Sequence, residues 1–263
     1  MAAAAVEFAG VSYILPSGQP LLRGINLKLE AGTRTAFLGR SGSGKTTLLR
    51  MVNGLVQPTS GRVLVDGNSA AEDVLALRRS IGYVIQEIGL FPHRRIASNV
   101  GVPLEIAGSG KDTAGYREAV DRAMKQVGLE PAHFGQRYPW QLSGGQRQRA
   151  GVARALVADQ AVLLMDEPFG ALDPLTRAEM QTMLRDLFAN VDKTVLLVTH
   201  DLPEALFLAD RLIFVEAGEI VADVKSADVF SSDNPTVRRY IETVQRAMPT
   251  SAPGASHARP SPS

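Results

Sequence analysis

Residues Gly39, Arg40, Ser41, Gly42, Ser43, Gly44, Lys45, Thr46 and Thr47 read GRSGSGKTT and fit the spacing G-x-x-x-x-G-K-[ST]. Glycines so placed let successive backbone N–H groups turn toward one anion, and the start of a following helix adds its dipole. Lys45 then reaches the outer phosphates of a nucleoside triphosphate, and the Thr46 hydroxyl supplies a hard oxygen for Mg²⁺. The plainer reading is a glycine-rich strand-to-helix turn. The stretch does follow the apolar run at Arg34–Leu38, and it precedes an amphipathic helix with Leu48, Leu49, Val52 and Leu55 on one side, which is the context a phosphate loop requires.

A second chemical group closes the apolar run AVLLMDEP at 161–168. Asp166 at the strand end is placed to hold a Mg²⁺-bound water, and Glu167 one residue on is placed to take the proton of an attacking water. Ligands of open α/β sheets bind at that carboxyl edge. The alternative for a D-E pair is simple capping of the next turn. His200 and Gln86 finish the runs TVLLVTH and GYVIQ at equivalent places; each is either a hydrogen-bonded structural residue or part of the same site.

The third group is SGGQ at 143–146, opening an amphipathic helix with Ala150, Ala153, Leu156 and Val157 on one side. Ser143 fits the N-cap and Gln146 the N3 position of a capping box. Gly144 and Gly145 then occupy the first turn, where glycine costs about 1 kcal/mol relative to alanine. Two bare positions at a helix tip imply that something approaches it closely.

Short apolar strands alternate with helices along the rest of the chain. Val6–Tyr13, Ile25–Leu29 and RVLVDG read as strands, PTSG at 58–61 as a turn, Asp73–Arg79 as a short helix and Gly82–Ile85 as a strand. Residues 87–158 read as mostly helical. Helices are expected at about 176–190 and 203–209, and a last strand in RLIFVEAG. Continuous apolar strands separated by helices indicate a parallel sheet covered on both faces. The Met180, Met183, Leu184, Leu187 and Phe188 stripe reads as plain helix packing. Residues after Met248 are rich in proline, serine and alanine and are expected to be disordered.

Composition narrows the class. A balance of 28 basic against 27 acidic residues gives no case for nucleic acid, which needs clustered basic charge. The absence of cysteine removes disulfides and thiolate metal sites. No apolar stretch approaches the ~20 residues that span a bilayer, so a membrane role would come through a partner.

The P-loop, Gln86, LSGGQ at 142–146, the strand 161–167, ALD at 171–173 and His200 occur in an order that resembles the ATP-binding subunits of ABC transporters over residues 4–245. The resemblance implies an α/β P-loop NTPase of ABC type. Its core would be a mostly parallel sheet with an inserted helical subdomain at about 87–158 and an N-terminal antiparallel β subdomain, together spanning 1–247. It implies ATP and Mg²⁺ as cofactors, with Thr46, Asp166 and Gln86 around the metal. Glu167 would be the leading candidate for general base, His200 would contact the γ-phosphate and Gln86 would sense the membrane subunit. Tyr13 matches the family position that stacks on adenine, although a tyrosine in a strand is otherwise core. The family works as a head-to-tail homodimer. Ser143, Gly144, Gly145 and Gln146 of one subunit would therefore face the γ-phosphate held by the other, and Asp173 would cross between subunits.

With no spanning segment of its own, such a chain implies separate transmembrane permease subunits, indirectly a solute-binding protein, and a place on the cytoplasmic face of the membrane. IGYVIQEIGLFPHRRIASNV at 81–100 resembles the importers of glycine betaine, choline and carnitine, and LLMDEPFGALDPLTR is shared also with amino-acid and ion importers. Arg94 and Arg95 stand in the segment expected to meet the permease, and either face it or pair with acids on the helical lobe. Some osmoprotectant ATPases carry C-terminal CBS domains; residues 248–263 do not resemble them, and regulation by that route is not expected. Other readings are an importer ATPase for amino acids or other solutes, a soluble non-transport ABC ATPase, and an inactive binding module.

Overall fold

The computed structural model of the chain describes residues 1–86, 88–111 and 113–247, so the disorder expected for 248–263 lies outside the described residues. Two sheets share the molecule. The N-terminal one is antiparallel, built from β1 (Val6–Ile14), β2 (Pro20–Leu29), β4 (Ser60–Val65) and β5 (Asn68–Ser69) in the order β2-β1-β4-β5. The central sheet has the order β10-β9-β3-β8-β7-β6. Its strands are β3 (Arg34–Leu38), β6 (Ile81–Val84), β7 (Val162–Asp166), β8 (Thr194–Thr199), β9 (Arg211–Glu216) and β10 (Glu219–Lys225). All its pairings are parallel except β10 on β9.

The unbroken apolar runs of β7 and β8 follow from burial on both faces. Leu163, Met165, Val195 and Leu197 enter one core cluster, while Val162, Leu164, Leu196 and Val198 enter the other. Successive side chains of a strand point to opposite faces, so a doubly covered strand must be apolar throughout. The antiparallel sheet and α1 (Lys45–Val52) cover one face. On the other lie α7 (Gly144–Leu156), α8 (Pro174–Ala189), α9 (Leu202–Leu208) and α10 (Pro235–Ala247). A short helix α2 (Val74–Arg79), N-capped by Asp73, precedes β6.

Between β6 and β7 run α3 (Ile96–Val100), α4 (Val102–Ile106), α5 (Ala114–Gln126), α6 (Pro131–Phe134) and α7. Helix α7 packs on α3 and α5 and also on β6. Its backbone comes so near the sheet that a Cβ at Gly82 would lie 2.1 Å from the Ala155 carbonyl oxygen. Met180, Leu184, Leu187 and Phe188 are buried and Met183 packs against the same cluster, so the α8 stripe is core.

Three expectations need correction. Helix α1 stops at Val52 because Gly54 turns left-handed (φ 66°), a helix-ending conformation, and Leu55 is left exposed beyond it. Strand β6 ends at Val84, so Gln86 does not close the strand but stands two residues past it. Strand β10 was not anticipated; it pairs with β9 through Ala217 and Gly218, both with positive φ (48° and 82°). Two such residues make the tight hairpin turn whose twist suits adjacent strands.

Candidate functional site

The loop Gly39–Gly44 leaves β3 and enters α1 with Gly44 left-handed at the N-cap (φ 103°). Packing fixes two of its glycines, Gly39 and Gly44. A Cβ at Gly39 would lie 2.3 Å from the Val215 carbonyl oxygen, and one at Gly44 would lie 2.5 Å from Leu22 Cδ2. Lys45 folds back over the loop, its Nζ donating to the carbonyls of Gly39 (2.8 Å) and Arg40 (2.9 Å), with Ser43 Oγ at 3.5 Å. Burial pushes this ammonium below the ordinary lysine range, with Glu167 and Asp166 pulling it back up. A lysine held by neutral carbonyl and hydroxyl oxygens is ready to exchange them for stronger, charged acceptors.

Thr46 donates its hydroxyl to Asp166 Oδ1 at 2.7 Å, joining the first turn of α1 to the end of β7. Asp166 is 1% exposed. Tyr83 donates its hydroxyl to Asp166 Oδ2 at 3.3 Å, and Arg50 Nη2 stands 3.8 Å from the same oxygen. Neither Tyr83 nor Arg50 was singled out from the sequence. Tyr83 reads as core within its strand, but Arg50 follows Thr46 by one helical turn, and that i, i+4 spacing is a signal.

Glu167 has φ 43°, a left-handed conformation for a residue that precedes Pro168, and its N–H donates to the Val198 carbonyl at 3.0 Å. Such a conformation costs about 1–3 kcal/mol and is tolerated where the surroundings over-determine it. The strain aims the carboxylate along the sheet edge, with Oε2 3.6 Å from His200 Nδ1. Gln86 is exposed and leaves the sheet at the same height, since Val84 is in register with Met165. Arg154 of α7 donates to the carbonyls of Ile88 (2.9 Å) and Gly89 (2.7 Å), tying the segment after Gln86 to the helix that begins at Gly144. Tyr13, half-buried against the N-terminal core, is in register with Leu22, the residue that abuts Gly44. The fold therefore brings residues 39–47, Asp166, Glu167 and His200 to the carboxyl edge of the central sheet, with Gln86 two residues past the end of β6 and Tyr13 on the neighbouring antiparallel sheet.

Ser143, Gly144, Gly145, Gln146 and Asp173 lie elsewhere. The capping box forms as its residue types require: Ser143 Oγ accepts from Gln146 N–H (3.2 Å) and Gln146 Oε1 accepts from Ser143 N–H (3.0 Å). Asp173 N-caps α8, accepting from Thr176 N–H at 3.1 Å, and hydrogen bonding from Thr176 holds its carboxyl below the usual range. The two glycines differ. A Cβ at Gly145 would lie 2.4 Å from Thr176 Cγ2, whereas one at Gly144 would meet only Leu172 Cδ2 at 4.0 Å. Gly145 makes room for a neighbour in its own chain; Gly144 does not. Among the described residues no hydrogen bond joins 143–146 to the phosphate loop. Arg94 pairs with Glu105 at 3.0 Å, while Arg95 bonds the Gln136 side chain and lies 5.7 Å from the Tyr138 ring.

The sequence pattern of the ABC transporter family matches residues 22–170, more than half of the chain and inclusive of the loop, Gln86, the SGGQ helix and Glu167. The chain belongs to the ABC transporter family. This ABC-family chain is similar to the glycine betaine/carnitine/choline transport ATP-binding protein OpuCA of Bacillus subtilis (strain 168), 44% identical over 212 residues, 80% of this chain and 55% of the relative. It is also similar to the glycine betaine uptake system ATP-binding protein YehX of Escherichia coli (strain K12), 44% identical over 217 residues, 82% of this chain and 69% of the relative. The chain spans about half the length of most of the curated relatives it matches. Among solved structures it resembles the dimeric post-hydrolysis state of the ATP-binding cassette MJ0796 bound to ADP and Pi, with TM-score 0.75 and 33% identity over 84% of this chain and 98% of that one. The ABC-type α/β fold and the kinship with osmoprotectant importers expected from residues 81–100 both stand. Among the described residues no helix is long and apolar enough to cross a membrane.

Proposed function

We propose that the chain is the ATP-hydrolysing subunit of an ABC importer for quaternary-ammonium osmoprotectants, acting as a head-to-tail pair beneath separate permease subunits on the cytoplasmic face of the membrane. The observation that carries it is the division of the site. The phosphate loop, Asp166, Glu167 and His200 converge on one sheet edge, while the helix tip at Gly144 is open and joined to none of them by a hydrogen bond. A second copy turned end for end supplies that tip. The kinship with glycine betaine, carnitine and choline transport ATP-binding proteins supports the solute class, and the dimeric cassette with ADP and Pi supports the pairing.

In this reading ATP lays its phosphates on the backbone N–H groups of 39–47. Lys45 trades the carbonyls of Gly39 and Arg40 for the outer phosphates, and Tyr13 stacks on adenine. The Thr46–Asp166 pair is a set of hard oxygens fit for Mg²⁺, which takes one or two protein oxygens beside phosphate and water. When bound, that ion neutralises charge on the phosphates. Glu167 orients the attacking water and accepts its proton as the P–O bond to ADP breaks, and His200 holds the γ-phosphate side of the water. Ser143 and the N–H groups of Gly144 and Gly145 on the second copy bind the same phosphate at a helix N-terminus, so ATP joins the two copies and hydrolysis releases them. Gln86 reports to the permease. Of the two arginines in the permease-facing segment, Arg95 is the one without an acid partner among the described residues.

Two expected results follow here. Asp166→Asn keeps an acceptor for Thr46 but loses the charge, so the Mg²⁺ concentration for half-maximal turnover rises about 10–100-fold; a magnesium titration checks it. Tyr13→Ala removes a stacking contact worth about 1–3 kcal/mol, weakening ATP binding with little change in kcat; an equal loss of binding for inorganic triphosphate, which has no base, would argue against a base contact. The solute class is tested by uptake. Cells whose only copy is Lys45→Ala lose uptake of labelled glycine betaine, and intact betaine uptake with lost amino-acid uptake sinks that assignment.

A further inference from the structure

His200 sits in a closed ring of hydrogen bonds that its own side chain does not enter. Thr199, the last residue of β8, donates its hydroxyl to Glu204 Oε2 at 2.6 Å. The Thr199 oxygen accepts the Asp201 N–H at 3.1 Å. Asp201, the N-cap of α9, accepts the Glu204 N–H on Oδ1 at 2.9 Å. Thr199 and Asp201 flank His200, so the ring fixes the backbone on both sides of an imidazole that is itself 65% exposed. The other Glu204 oxygen accepts from Gln181 Nε2 of α8 at 3.3 Å.

Glu204 is only 7% exposed. Capping α9 needs no buried acid, since Asp201 already does it, and withdrawing a carboxylate from water is unfavourable unless its partners compensate. Burial pushes the Glu204 carboxyl up, and the Thr199 hydroxyl draws it back. Glu204 also lines a small cavity of about 80 Å³ together with Glu167, Arg177 and His200. Arg177 Nε is buried there without a hydrogen-bond partner among the described residues. The acid thus stands behind the proposed chemistry rather than in ordinary core.

We propose that Glu204 is a positioning residue for hydrolysis: through Thr199 and Asp201 it sets the turn that aims His200 beside Glu167, and through Gln181 it ties that turn to α8, the helix that starts at Asp173. The inference rests on the reading of Glu167 and His200 given above. The imidazole and the α8 end that would cross to the second copy then shift together.

The test is a double-mutant cycle on Mg-ATP turnover with E204A, H200A and the pair. E204A lowers kcat on the order of 10- to 100-fold, the scale of an ångström-size misplacement, while KM for ATP stays within about twofold. In the H200A background the same substitution costs less than about threefold, because sites acting through one group are not additive. E204Q, which keeps an acceptor for Thr199, recovers most of the loss. Should E204A not fold, Thr199→Val breaks the ring at the hydroxyl and enters the same cycle with H200A. Additive losses in the cycle, or E204Q as impaired as E204A, overturn the proposal while leaving His200 in place. Near-normal turnover of H200A alone overturns the reading of His200, and the proposal with it.

Discussion

Glu167→Gln is expected to lower kcat by about 10²–10⁴-fold, the range a positioned acid–base group supplies, while ATP binding survives and an ATP-bound pair accumulates. Glutamine keeps the shape of the side chain and tolerates the same left-handed backbone, so the loss isolates the charge. The structure adds a second arm. Glu167 holds φ 43° ahead of Pro168, a conformation glycine adopts freely. Glu167→Gly should therefore stabilise the fold by about 1 kcal/mol, raising Tm by about 2–4 °C for a chain of this size, while abolishing turnover. Stability and activity would move in opposite directions at one residue, as expected where strain serves function. Single-turnover kinetics and size-exclusion chromatography in ATP read the first arm, and thermal unfolding reads the second. Near-normal turnover of the glutamine variant removes Glu167 from the chemistry.

How much of this was legible beforehand depended on whether a residue's neighbours lie near it in sequence. The phosphate loop and the capping box are local devices whose spacing carries their geometry, and SGGQ folded as its residue types require. The strand ends at Asp166, Glu167 and His200 could be placed because parallel strands buried on both faces are continuous apolar runs, and the first polar residue marks the edge. What stayed hidden depends on distant packing. Leu22 abutting Gly44, Tyr83 and Arg50 around Asp166, and Gln181 reaching Glu204 are contacts between elements far apart in the chain. Strand β10 was missed because Glu219–Lys225 lies at the sheet edge, where polar residues break the apolar pattern. The diglycine is the instructive case. Their shared place in the first turn suggests one reason for both glycines, yet the packing of Thr176 against Gly145 separates them, and only Gly144 is bare for an outside partner.

That separation changes which substitution tests the paired mechanism. A side chain at 145 strikes Thr176 Cγ2 within its own chain, and overpacking of this kind costs about 1–3 kcal/mol whatever a second copy does. Loss of function there would be ambiguous. At 144 the nearest atom to a new Cβ is 4.0 Å away, and alanine in place of glycine favours helix by up to about 1 kcal/mol. Gly144→Ala should therefore leave Tm unchanged or raised. Gly144→Asp should fold as well, because an acid in the first turn suits the helix dipole. In a head-to-tail pair the same aspartate confronts the γ-phosphate held by the other copy. Turnover is then expected to fall on the order of 10²-fold or more, the scale of losing an anion-binding donor at a reacting centre. ATP-driven pairing should disappear while ATP still binds a single subunit. Mixing decides the matter: a G144D chain combined with a K45A chain forms a pair with one intact phosphate loop facing one intact tip, and that pair recovers turnover which neither variant shows alone. If G144D hydrolyses ATP at the normal rate, or if mixing restores nothing while both variants fold and pair, the tip does not act on the partner's phosphate.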